Sequence, residues 1–141
     1  REPGYIRAFE ENDLTLDYDY ICRMDFSGNI RNLIREKLIR LKPTAILSVN
    51  EMMSINVIQT LNEMKLKVPE DIMIAGIGDS QLCNVTSTPL TSVHFHYRTA
   101  GIEAAQMLLN SLKRESSIPR TLTLDFELEE RESTEKKCET V

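Results

Sequence analysis

Along this chain, apolar and polar positions alternate between two periods. From Ser27, a good helix cap, Ile30, Leu33, Ile34, Leu38 and Leu41 recur every three or four residues, and Pro43 ends that stripe. Thr44–Val49 (TAILSV) is a short, nearly continuous apolar run, the pattern of a strand buried on both faces. A second helix is predicted from Glu51 to Met64, with Met53, Val57, Leu61 and Met64 on one stripe and Ile55 and Ile58 beside it. That band is wider than one buried face needs, so part of it is expected to meet another subunit.

The rest of the chain continues the alternation. Ile72–Ile77 and Thr91–Phe95 read as further strands, separated by a loop around Asn84–Pro89. Arg98–Lys113 is helical by pattern, with Ile102, Ala105, Leu109 and Leu112 on one face, and Thr121–Leu128 alternates as a late strand. At the other end, Arg1–Glu11 reads as a helix end and Tyr18–Arg23 (YDYICR) as a strand of β-formers. Glu129–Val141 reads as a loose, charged tail.

Strands separated by helices of this length imply βαβ units. The expected fold is α/β, a three-layer parallel sheet with helices on both faces. In such sheets ligands lie outside the carboxyl ends of the strands. The segments to search are therefore Met24–Ser27, Asn50–Glu51, Gly76–Ser80 and Phe95–Tyr97.

Those ends carry binding chemistry. The guanidinium of Arg1 can fork two hydrogen bonds onto a hydroxyl pair, a carboxylate or a phosphate. Asn50 both donates and accepts, as a sugar hydroxyl does, although an Asn after a strand is more often a helix cap. Phe26 and Tyr97 offer flat apolar walls, though aromatics at strand ends are more often core filler. Asp79 adds an acceptor, or simply caps a short helix before Ser80.

Composition narrows the classes. The 141 residues are enough for one domain with a substantial core, and 41% hydrophobic with 28% charged residues opposes wholesale disorder. A net charge of −5 argues against DNA contact by these residues themselves. Cys22, Cys83 and Cys138 show no metal-ligand spacing and read as free cytosolic thiols. With only His94 and His96 beside them, no metal or other cofactor is expected. No run of about 20 apolar residues and no signal peptide is present, so neither a membrane span nor export is expected. The start without Met, inside a helical pattern, reads as a fragment.

Catalytic patterns are thin. There is no nucleophile elbow and no phosphate-binding P-loop, and Gly76-Ile77-Gly78 lacks the third glycine of a dinucleotide fingerprint. His94 and His96, two apart on a strand, read as ordinary strand residues. An enzyme is not expected.

At the level of motifs the chain resembles the LacI/GalR family of transcription regulators. Arg1-Glu2-Pro3-Gly4-Tyr5 is similar to the family's R-x-x-G-aromatic segment. Thr44–Ser80 is similar to its long signature, which runs from T-A-I-x-x-x-N-D to V-P-x-D and closes on G-F-D-D. Thr88–Val93 resembles its P-x-L-T-T strand, Gly101–Leu109 its G-x-x-A-x-x-L-L helix, and Leu128–Thr134 its L-x-x-R-x-S-T ending. GIGDS and HFHYRTAGIEAA further resemble Gram-positive sucrose and disaccharide repressors.

The resemblance implies residues 1–128 as the carboxy-terminal lobe of a periplasmic-binding-protein-like (type I) effector core, with 129–141 as a tail. Residues 95–118 would pack with an amino-terminal lobe, and a helix-turn-helix outside this chain would engage operator DNA. A carbohydrate or sugar phosphate would bind in the cleft and control DNA binding allosterically. Arg1, Phe26, Asn50 and Tyr97 match ligand-holding positions. Two subunits are implied, with Met53 and Val57 expected near their contact. Two positions depart from the pattern, Glu51 for the family's Asp after Asn and Gly78 for its first Asp of D-D. Losing that charged acceptor removes roughly 1.5–3 kcal/mol of hydrogen bonding. Two alternatives therefore stand beside the sensor: an interaction module with a vestigial cleft answering to a protein corepressor, and a sugar solute-binding protein.

Overall fold

The computed structural model describes residues 1–23, 29–113 and 119–135. In chain order the elements are α1 (Glu2–Glu11), α2 (Ile30–Leu41), β1 (Ala45–Leu47), α3 (Glu51–Glu63), β2 (Met73–Ile77), β3 (Thr91–Phe95), α4 (Tyr97–Leu112) and β4 (Phe126–Glu129). Short 3-10 turns occupy Tyr18–Tyr20, Gln81–Asn84 and Glu132–Thr134. The sheet runs β1-β2-β3-β4. β1 and β2 pair in parallel, as do β2 and β3, whereas β4 lies antiparallel to β3 with Val93 opposite Leu128. The α/β class is as expected, but the fourth strand makes the sheet mixed. Direction is not written in a two-residue period.

The core lies between α2, α3 and the sheet. Ile34 and Leu38 of α2 meet Val57, Ile58 and Leu61 of α3, with Ile72, Ile74, Cys83 and Leu90 beneath them. α3 sits low on β2 because Gly76 has no side chain. A Cβ there would stand 2.8 Å from the Ser54 hydroxyl oxygen, closer than real contacts allow. Cap residues set the helix starts, with Asn29 accepting from the Asn32 amide and Asn50 from the Met53 amide. The expected cap Ser27 falls outside the described residues.

Two expectations are corrected here. Tyr18–Arg23 forms no paired strand: Asp17 accepts from the Asp19 amide and turns Tyr18–Tyr20 into a single helical turn. β1 consequently stays at the sheet edge, and Leu47 is 53% exposed rather than buried on both faces. Val57, expected near the subunit contact, is enclosed by its own chain at 4% exposure. Its neighbour Met53 is half-buried against the same core, and Met52 is the residue α3 turns outward.

The expected loose tail is also corrected for its first half. Glu129 belongs to β4, and Ser133 is fully buried. The Ser133 hydroxyl donates to the Ile74 carbonyl at 2.6 Å and accepts from the Thr91 amide at 2.8 Å. Thr91 in turn accepts from the Arg131 amide through its hydroxyl at 2.9 Å. Small hydroxyls supply partners to backbone groups that the sheet leaves unpaired, and this pins the segment down. By contrast α1 and α4 bury no residue, and Ile102, Leu108, Leu109 and Leu112 of α4 face outward.

Candidate ligand-binding site

The strand register lines up three carboxyl ends. Ser48 donates to the Ala75 carbonyl and Gly78 to the Val93 carbonyl, so Asn50, Gly78 and His94 follow one another across β1, β2 and β3. Neighbouring strands lie about 4.8 Å apart, which makes this a short row. Arg1 joins its outer end, where its guanidinium donates to the Val49 carbonyl. Beside Arg1 opens an apolar cavity of about 480 Å³, lined among others by Tyr5, Ile34, Leu38, Leu47 and Val49.

Each member of the row is held by local structure. The side-chain oxygen of Asn50 caps α3 at 2.9 Å from the Met53 amide, so the helix-cap role is realised. Gly78 has φ +133°, a backbone region that only glycine occupies without strain. A Cβ added to it would lie 3.1 Å from both Cγ and Cδ of Glu51. The Glu51 carboxylate accepts from the Ser80 amide and lies 3.5 Å from the Cys83 sulfur. Burial, and then the nearby charge of Glu51, push the Cys83 thiol up to about 11.

Asp79 is the most constrained of the expected ligand residues. One carboxylate oxygen lies 3.1 Å from Nδ1 of His94, and the other lies 2.7 Å from Nη1 of Arg131. The Arg131 guanidinium also donates to the Leu90 carbonyl at 2.7 Å. Its pairing with Asp79 raises its pKa above the ordinary arginine value. Asp79 therefore ties β2 to β3 and to the final turn, although its buried Oδ1 meets Arg131 as an ion pair without hydrogen-bond geometry.

Arg1, Asn50, Gly78 and Asp79 are brought together. Tyr97 begins α4, 61% exposed, with its ring 5.8 Å from that of Phe95. Phe26 lies outside the described residues. His96 caps α4 without a side-chain hydrogen bond, and its Nε2 is 3.9 Å from Glu127. Sequence reasoning did not single out Arg131, and it marked Glu51 only as part of a strand-end segment and as a departure from the family pattern. The signal for both lay in the motifs, the arginine of the closing R-x-S-T and the acid after Asn50. Among the described residues no group of three His, Cys, Asp or Glu side chains could hold a metal, and no helix is long and apolar enough to cross a membrane.

Known proteins are similar to this chain in sequence and fold. A family described as periplasmic binding protein-like domain matches residues 1–134. The HTH-type transcriptional repressor PurR of Aliivibrio salmonicida is 33% identical over 135 residues, covering 94% of this chain and 40% of that protein. PurR of Vibrio cholerae is 30% identical over the same length, so the chain spans about 40% of such curated relatives. Among solved structures, the transcriptional regulator CelR in complex with cellobiose superposes with a TM-score of 0.84 at 27% identity, over 92% of this chain and 40% of that one. CcpA of Lactococcus lactis shares the fold at a TM-score of 0.82 and 24% identity, over 94% of this chain and 49% of that one. The chain belongs to the periplasmic binding protein-like domain family and, within it, is part of an effector-binding core of the LacI/GalR regulator type.

Proposed function

We propose that this chain is the effector-sensing and dimerising core of a cytoplasmic transcription regulator, not an enzyme, and that its effector is a sugar or sugar phosphate. One observation carries the reading: a forked donor at Arg1, a donor–acceptor amide at Asn50 and a side-chain-free Gly78, over which the Glu51 carboxylate leans, share three adjacent strand ends. That is where open α/β sheets take ligands. The similarity to a regulator solved with cellobiose supports a carbohydrate.

The outward apolar face of α4 supports a second lobe closing over the row, with α4 packed against it. Effector binding then shifts the lobes and changes how a helix-turn-helix outside this chain engages its operator, by stabilising one orientation over the other. For the homodimer contact, exposed Met52 on α3 together with Leu82 and Val85 replaces Val57, since all three turn outward. A second reading, a corepressor-responsive core with an idle cleft, is favoured by Asp79 and the Asn50 oxygen already having partners.

The test is a thermal-shift screen of the native full-length protein against mono-, di- and phosphorylated saccharides, because a ligand that binds only the folded state raises its stability. A concentration-dependent shift with a defined saccharide class is expected. Flat profiles for all saccharides, with a shift on adding a protein corepressor, would overturn it.

A further inference from the structure

We propose that Glu51 is the carboxylate acceptor of the cleft, reaching through the space that Gly78 leaves empty. Its role presupposes the sugar-sensing row described above and names the residue that would take a ligand hydroxyl there.

The geometry is specific. Position 78 follows β2 in the middle of the row, between Asn50 and His94. The volume a side chain at 78 would enter is held by Glu51, whose Cγ and Cδ stand 3.1 Å and whose Oε1 stands 3.4 Å from a Cβ built there. A carboxylate attached to α3 thus stands where one attached to β2 would begin. The φ of +133° at Gly78 keeps that space open, because other residues rarely adopt it.

The carboxylate is also oriented. Oε1 accepts from the Ser80 amide and faces the Cys83 thiol. Among the described residues, Oε2 accepts no hydrogen bond. One oxygen anchored on backbone and one left over is a fixed acceptor, and acceptors fixed by supporting contacts bind without a further ordering cost. The other acid of this rim is enclosed instead, since Asp79 lies between His94 at 3.1 Å and the Arg131 guanidinium at 2.7 Å.

The experiment titrates cellobiose, maltose, sucrose and glucose 6-phosphate calorimetrically into the native full-length protein and into its Glu51→Gln and Glu51→Asp variants. Gln keeps the shape and an oxygen for the Ser80 amide but removes the charge. Asp keeps the charge but withdraws it from Gly78. Both variants are expected to bind the best sugar at least about tenfold more weakly, the difference between a charged and a neutral hydrogen bond. Unfolding midpoints should stay close to that of the unmodified protein. Sugar binding within twofold of the unmodified protein in both variants would overturn the role of Glu51 while leaving the sensing cleft intact. Failure of both variants to fold would make Glu51 a purely structural support. Absence of sugar binding in the unmodified protein would remove the sensing cleft, and the acceptor with it.

Discussion

α3 and α4 are both apolar-striped helices, of 13 and 16 residues, yet α3 buries five residues and α4 none. The difference lies in partners and not in propensity. The stripe of α3 meets α2 and β2, with Leu61 fully enclosed and Ser54 seated over Gly76. Among the described residues nothing encloses the stripe of α4. Periodicity announces that a face will be buried; it does not say against what. The lesson bears on function, because the proposed cleft rests on the enclosed helix while the exposed one leaves its apolar face outward.

Substitutions in the two helices should separate them most widely. Leu61→Ala is expected to cost about 3–4 kcal/mol in urea unfolding, as a fully enclosed leucine leaves a cavity. Leu109→Ala, at 51% exposure, should stay within about 0.5 kcal/mol. Comparable losses at both sites would mean that α4 has a partner within the folded chain.

A smaller effect is expected at the pin between sheet and final turn. Arg131→Met leaves the Asp79 carboxylate with His94 alone, and should destabilise by about 2–3 kcal/mol in the same assay. Glu132→Gln next to it should be neutral. Equal, negligible effects would mean that the final turn does not hold β2 to β3.

Smaller still is a pH effect confined to the buried half. Folding raises the Cys83 thiol from an ordinary value of 9.0 to about 11. Between these values the unfolded chain has lost the proton that the folded chain keeps, so stability falls as pH rises through the window. The loss should approach about 2 kcal/mol by pH 11 and disappear in Cys83→Ala. An unchanged slope in that variant would place the alkaline sensitivity elsewhere.

Much of this was legible in the sequence. The helices, the order of strands and the positions of their carboxyl ends follow from apolar spacing, and the motif resemblance located Arg1, Asn50 and Gly78 at those ends. What escaped has physical causes. The β-formers of Tyr18–Arg23 lost to the Asp17 turn, which is a local hydrogen bond and not a propensity. The charged look of Glu129–Glu135 hid Ser133, whose two backbone hydrogen bonds bury it completely. Val57 lies on the apolar band that the spacing predicts and is enclosed, whereas Met52 lies off that band and turns outward. Asp79 reads as a free acceptor until Arg131 is folded back 52 positions along the chain to meet it.

The central claim, that the row at the strand ends binds a carbohydrate, is tested most directly by replacing Asn50 with Asp. That variant keeps an oxygen to cap α3 at the Met53 amide and deletes the amide donor. Calorimetric titration of the saccharide giving the largest thermal shift should then show binding weakened at least about tenfold, with folding unchanged. Equal affinity for the unmodified protein and the variant would contradict the account and move the ligand away from the row.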